Sequence, residues 1–222
     1  MHVSHRIQTF HNKYPLLGPA FWLLSLQYFL AQLVVSAYWD RPYSWLNNTI
    51  SDLGNTACGD FNSRFVCSPQ YALMNASFIL FGVTMLLGSA LLYHEFKKSR
   101  LSALGFAGMG LAGIGTLLVG VFPENTVAFM HVFGAALPFL IGNISLGLLG
   151  RALDIPRPLR IYTVLTCIIT LSALVLFVSK HDLSLGIGGM ERLVGYPQTL
   201  WLIVFGVYTS RNEYRARLAK EK

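Results

Sequence analysis

Charge is what this sequence has least of. Only 12% of its 222 residues are Asp, Glu, Lys or Arg, against about 25% in ordinary soluble domains. With 54% hydrophobic residues and a mean hydropathy of +0.51, that shortage excludes a typical soluble protein and indicates one embedded in a membrane. The chain is also poor in chemical motifs. It has three cysteines but no C-x-x-C, no H-E-x-x-H and no Walker-type glycine loop with its lysine. The signatures of a zinc site and of a nucleotide-binding loop are therefore missing. There is no low-complexity segment and no internal repeat, so a repeat-built transporter is disfavoured. No cleavable signal peptide is evident, because the first apolar run is longer than an h-region and lacks a small-residue cleavage site.

Long apolar runs are what the chain has instead. About 20 apolar residues suffice to cross a bilayer, and six segments are expected to do so: residues 16–38, 69–93, 101–121, 127–150, 161–179 and 191–208. The last is apolar only from Val194 to Tyr208, roughly 22 Å of helix against a hydrocarbon core of about 30 Å. Its helix should therefore begin earlier and draw Glu191 and Arg192 towards the apolar boundary. Each then needs a partner, and Asp52 and Glu124 are candidates for Arg192. Pro138 should kink the fourth span. Gly105, Gly108, Gly110, Gly113, Gly115 and Gly120 mark the third as a central, closely packed helix.

Thirteen of the 17 Lys and Arg fall on the side shared by the termini and the two basic turns: Arg6, Lys13, Lys97, Lys98, Arg100, Arg151, Arg157, Arg160, Arg211, Arg215, Arg217, Lys220 and Lys222. Arg41, Arg64, Lys180 and Arg192 fall on the other. This bias places both termini in the cytoplasm and the 40–68 loop outside. It also explains the basic composition without a nucleic-acid partner and leaves membrane lipids as the expected partners. The expected fold is an all-α polytopic membrane bundle of six helices, one domain over residues 1–222, with a disulfide-bearing outer loop. Cys58 and Cys67 lie in that loop, where a disulfide suits an oxidising compartment; a zinc pair is the weaker reading. Cys167, mid-span, reads as a small buried apolar residue. Asn47-Asn48-Thr49 matches a glycosylation sequon, which matters only in a host that glycosylates.

The ionisable residues gather at the outer side. The polar stretch Asn47 to Gly54 follows the first span, and Glu124, His131, Glu191 and Arg192 come from distant parts of the chain. If the fourth helix has begun by Glu124, a spacing of seven puts Glu124 and His131 on one face. The glycine-bearing segment Gly186 to Arg192 opens the last helix, and a helix N-terminus with an arginine suits an anion such as a phospholipid head group. The alternative is a flexible loop with Arg192 paired internally. Ser25, Tyr28, Gln32 and Ser36 share a face of the first span, either for interhelical hydrogen bonds or for a ligand pathway. The candidate catalytic residues are His131, whose side chain type titrates nearest neutral pH, with Asp52, Glu124 and Glu191. Candidate substrate contacts are Arg192, Asn48, Ser51 and Tyr196. Ser51 is the one candidate nucleophile and has no activating motif. No metal ligand is assigned and no cofactor is identified.

Three stretches carry a resemblance. Asn48-Thr49-Ile50-Ser51-Asp52-Leu53-Gly54, then Phe122-Pro123-Glu124 with His131, then Gly189-Met190-Glu191-Arg192 with Tyr196-Pro197 resemble a prokaryotic membrane family, the "domain of unknown function 998". The resemblance covers most of the chain. The Ile-Ser-Asp-x-Gly portion is also similar to the Frag1/DRAM/Sfk1 class of eukaryotic six-span proteins. These families imply six helices and involvement with membrane lipids, and supply no reaction. Three readings follow: a lipid hydrolase or transferase at the outer leaflet, a non-catalytic protein whose charges form an ion-pair network, and a small-molecule or ion transporter.

Overall fold

A computed structural model describes residues 9, 13–96 and 99–220, with the backbone alone at 220. Of the basic residues counted above, Arg6, Lys97, Lys98 and Lys222 lie outside the described residues. The architecture is an all-α bundle with a small hairpin in its longest loop. In chain order come α1 (Leu17–Leu23), α2 (Leu26–Ala37), a 3-10 turn (Ser51–Gly54), β1 (Gly59–Phe61), β2 (Arg64–Val66), α3 (Tyr71–Leu92), α4 (Arg100–Val121), α5 (Ala128–Ala136), a π turn (Leu137–Gly142), α6 (Asn143–Ala152), α7 (Arg157–Val178) and α8 (Gly186–Lys220).

Five stretches are long and apolar enough to cross a membrane: Leu17–Ala37, Tyr71–Leu92, Arg100–Val121, Ala128–Ala152 and Arg157–Val178. The chain is therefore a multi-pass membrane protein. The last helix differs from the expectation in composition. Its apolar run is diluted by Tyr196-Pro197-Gln198-Thr199, of which Gln198 and Thr199 are buried inside the bundle. The early start expected for it is present, since α8 begins at Gly186, ahead of Glu191.

The core forms where aromatic side chains from distant helices meet. Trp22 packs against Trp201 and Phe205 with centroids 5.5 and 5.6 Å apart. An indole N–H away from water must find an acceptor inside the protein. Trp22 Nε1 donates to the Met85 carbonyl (3.2 Å) and Trp201 Nε1 to Thr163 Oγ1 (2.7 Å). Helix α4 is central, packing on α3, α5, the π turn and α6. Its approach to α3 is backbone on backbone: a methyl at Gly113 would lie 2.7 Å from the Gly82 carbonyl oxygen, and one at Gly82 would lie 2.4 Å from that of Gly113. At Pro138 the fourth span passes into the π turn, which removes the clash between the proline ring and the preceding carbonyls.

Candidate functional site

The loop between α2 and α3 folds around one carboxylate. The Thr49 N–H donates to Asp52 Oδ2 (2.9 Å) and the Asp52 N–H donates back to Thr49 Oγ1 (3.0 Å). This reciprocal pair is the arrangement of a capping box and starts the Ser51–Gly54 turn. Gly54 lets that turn press onto α3, where Asn75 Nδ2 donates to the Gly54 carbonyl (2.9 Å). The Cys58–Cys67 disulfide is formed and brackets β1 and β2, which pair with Phe61 opposite Arg64. Their two-residue connection, Asn62-Ser63, has positive φ at both positions (48° and 63°), which matches the strand twist of a tight hairpin. The hairpin returns Arg64 onto Asp52 as a two-pronged ion pair, Nε to Oδ2 and Nη2 to Oδ1, both 2.7 Å. Burial would raise the Asp52 carboxyl, but the Arg64 hydrogen bonds and charge, with those from Glu124 and Thr49, hold it below the usual carboxylate value. Glu124 goes the other way. Burial, its hydrogen bond to Asp52 and the Asp52 charge push it up to about 9, so Glu124 is protonated at neutral pH.

Arg192 is not held by Asp52 or Glu124, as the sequence led one to expect. Its guanidinium donates to the carbonyls of Trp45 (3.0 Å), Asn48 (2.8 Å) and Gly188 (2.8 Å) and to the hydroxyls of Tyr196 (3.2 Å) and Tyr43. Arg64 had already taken Asp52, and five neutral oxygens satisfy the planar fork just as completely. The α8 N-terminus is also occupied. The amides of Gly188 (2.7 Å) and Gly189 (3.1 Å) donate to the Leu46 carbonyl, so they are not free for a phosphate. Gly188 is needed there, because a methyl would sit 2.1 Å from the Asn48 carbonyl oxygen. Tyr196 passes its own proton to Gln32 Oε1 (2.6 Å). Gln32 on the first-span stripe, Asn75 and Asn143 all make hydrogen bonds within the bundle, so these deeper polar residues are tied into helix packing.

The third group is a short chain of side chains. His131 Nδ1 lies 2.9 Å from the Phe122 carbonyl and His131 Nε2 lies 3.0 Å from Ser51 Oγ. Ser51 Oγ is also 3.1 Å from Glu191 Oε1, while Glu191 Oε2 accepts from the Ile50 N–H. A carbonyl only accepts, so His131 Nδ1 carries a proton. Ser51 has one proton and two neighbours. It either donates to a neutral His131 and accepts from a protonated Glu191, or donates to a Glu191 carboxylate and accepts from a charged His131. The two arrangements contain the same protons and interconvert by shifting two of them, from Glu191 to Ser51 and from Ser51 to His131.

Two cavities meet at Ser51. The larger, about 690 Å³, has a polar end at Ser51, Arg64, Glu124, His131 and Lys180 and an apolar wall that includes Val132, Phe139, Leu140 and Phe177. The smaller, about 50 Å³, lies among Tyr28, Thr116, Gln198 and Thr199. Ser51, Ala135, Phe139 and Glu191 line both. Of the residues picked out by sequence, Ser51, Glu124, His131 and Glu191 thus share the wall of the larger cavity. Asn48, Asp52, Arg192 and Tyr196 are not in that wall; they hold the loop against α8 and the hairpin. Glu124 does not share a helical face with His131, because α5 starts only at Ala128 and Glu124 sits in the preceding turn. Arg64, Tyr43 and Lys180 were missed. The signal for Arg64 was its place after Asn62-Ser63 between two paired cysteines, which forces that arginine back over the loop.

A family model described as "Protein of unknown function (DUF998)" matches residues 23–208. No curated protein and no solved structure matches the chain.

Proposed function

The chain belongs to the DUF998 family of proteins of unknown function, a membership that brings no reaction with it, and we propose its function from the geometry of the site. In this reading it is a single six-span domain. Helix α8 is the last span, the termini are cytoplasmic, and the loop that carries Ser51 faces outward. The larger cavity takes a lipid from the outer leaflet, with the ester region at Ser51 and the chain along Val132, Phe139 and Leu140. The protein hydrolyses or transfers an acyl group of that lipid.

One observation carries the proposal: Ser51 Oγ stands 3.0 Å from His131 Nε2 on the wall of a cavity that is polar at one end and apolar beyond it. Nucleophile and base are within hydrogen-bond reach, and the Phe122 carbonyl orients the base. Ser51 Oγ attacks the ester carbonyl carbon while its proton passes to His131 Nε2. Collapse breaks the bond to the alcohol, which leaves with that proton. Water or a second hydroxyl then attacks the acyl-serine, gives its proton to His131, and Ser51 takes the proton back as it leaves. Protonated Glu124, with its proton held by Asp52, adds no negative charge at the end of the cavity where the carbonyl oxygen gains it. Lys180 favours a lipid with a negative head group.

The test is acyl release from defined vesicles by the purified full chain. Ser51→Ala should abolish it, and His131→Ala should lower it by about 10²–10⁴, the usual contribution of a positioned base. A serine-directed fluorophosphonate should add its mass at Ser51. Turnover that survives Ser51→Ala sinks the reading. A second reading, a non-catalytic lipid-binding protein, draws support from the closed Asp52–Arg64 pair and the saturated Arg192. It predicts lipid uptake with neither turnover nor labelling.

A further inference from the structure

A groove of about 570 Å³ lies at the opposite end of the bundle, between the start of α7 and the last turns of α8. Its apolar wall includes Leu159, Val204 and Val207; its polar end is Tyr208, Arg211 and Arg215. Arg211 and Arg215 are four residues apart, so they share one face of α8. Both are exposed. Among the described residues the ion pair Arg64–Asp52 stands alone, so these two arginines have no acidic partner there. Glu213 lies two positions from each and points away from that face.

An apolar trough that ends in two unpaired guanidiniums at the edge of a membrane span matches one kind of molecule by shape and charge. We propose that it holds an anionic phospholipid of the adjoining leaflet, with the phosphate between Arg211 and Arg215 and an acyl chain along Val204 and Val207. Guanidinium forks grip phosphate oxygens in pairs, and basic pockets between spans are a recurrent place for anionic head groups. This site is independent of the cavity at Ser51.

Native mass spectrometry of the full chain in micelles with equal amounts of phosphatidylglycerol and phosphatidylcholine tests it. Phosphatidylglycerol should be retained roughly tenfold or more over phosphatidylcholine. Arg211→Gln with Arg215→Gln should erase the preference, and Val204→Trp, which fills the trough, should remove the bound lipid. Arg151→Gln with Arg217→Gln lowers the net charge equally outside the groove and should keep the preference. The proposal is overturned if the two lipids are retained equally, if the charge-matched control loses as much, or if soluble glycerol phosphate displaces the lipid at the same concentration.

Discussion

Two pairs of arginines sit at opposite ends of this bundle and are treated in opposite ways. At the loop end, Arg64 is gripped by both oxygens of Asp52 and Arg192 by five neutral oxygens. At the tail end, Arg211 and Arg215 stand exposed beside an apolar groove with no acidic partner among the described residues. The difference is one of burial. A guanidinium removed from water must have every donor met, and the loop end meets that demand by folding the hairpin and the Trp45–Asn48 carbonyls inward. An arginine at a wet boundary faces no such demand and remains available. Locked arginines here shape a site, and open ones present charge.

Several measurements would sharpen or break that contrast. The largest effect belongs to Asp52→Ala, which strands the largely buried Arg64 charge and should cost about 3–5 kcal/mol, read as a lowered melting temperature in detergent. Arg192→Lys keeps the charge but not the fork that reaches three carbonyls and two hydroxyls, and should cost about 1.5–3 kcal/mol. Cys58→Ser with Cys67→Ser frees the hairpin and should cost about 2–4 kcal/mol. If it also lowers the melting temperature no further in the Asp52→Ala background, the disulfide acts through Arg64.

The pH dependence follows from Glu124. Its carboxyl is raised from the ordinary value to about 9 in the folded state, so folding retains a proton that the unfolded chain gives up near its ordinary carboxyl value. That contribution is complete at low pH and fades as pH climbs towards 9. Asp52 is lowered and works in the other direction, losing its contribution only as pH falls into the acid range. Melting between pH 6 and 9 should therefore fall in the parent chain and flatten in Glu124→Gln. The smallest effect is expected at the tail end, where Arg211→Gln with Arg215→Gln should leave the melting temperature unchanged without lipid. A large drop there would end the contrast.

The helices were legible because the periodless apolar runs are the signal for spans. The start of α8 before Glu191 was legible too, because fifteen apolar residues are too short for a bilayer. The ambiguity of the last span has a physical source: Gln198 and Thr199 face the interior, where they resemble surface residues to any reading by hydropathy. The site was half legible. Ionisable residues at one end of a bundle announce themselves, and Glu124, His131 and Glu191 do line one cavity. Which arginine meets which carboxylate was not legible, because it turns on a hairpin only a few residues long. The Ser51–His131 contact was hidden for a similar reason. No local motif marks a serine whose histidine neighbour arrives from 80 positions away.

The seal that Leu46 places over the α8 N-terminus sets an order of events during synthesis. The residues it joins, and the bonds from Ile50 to Glu191 and from Trp45 to Arg192, are separated by more than 140 positions. At 5–20 residues per second, the loop waits roughly 7–28 s before the segment that closes it is made. Until then its peptide groups and half of its site are open to water, proteases and holding chaperones. A chain halted before residue 186 would carry the disulfide, the hairpin and the Asp52–Arg64 pair without Glu191. The cell would meet a finished loop on an unfinished site, and arrival of the last helix is the moment at which the protein becomes distinguishable from its own fragment.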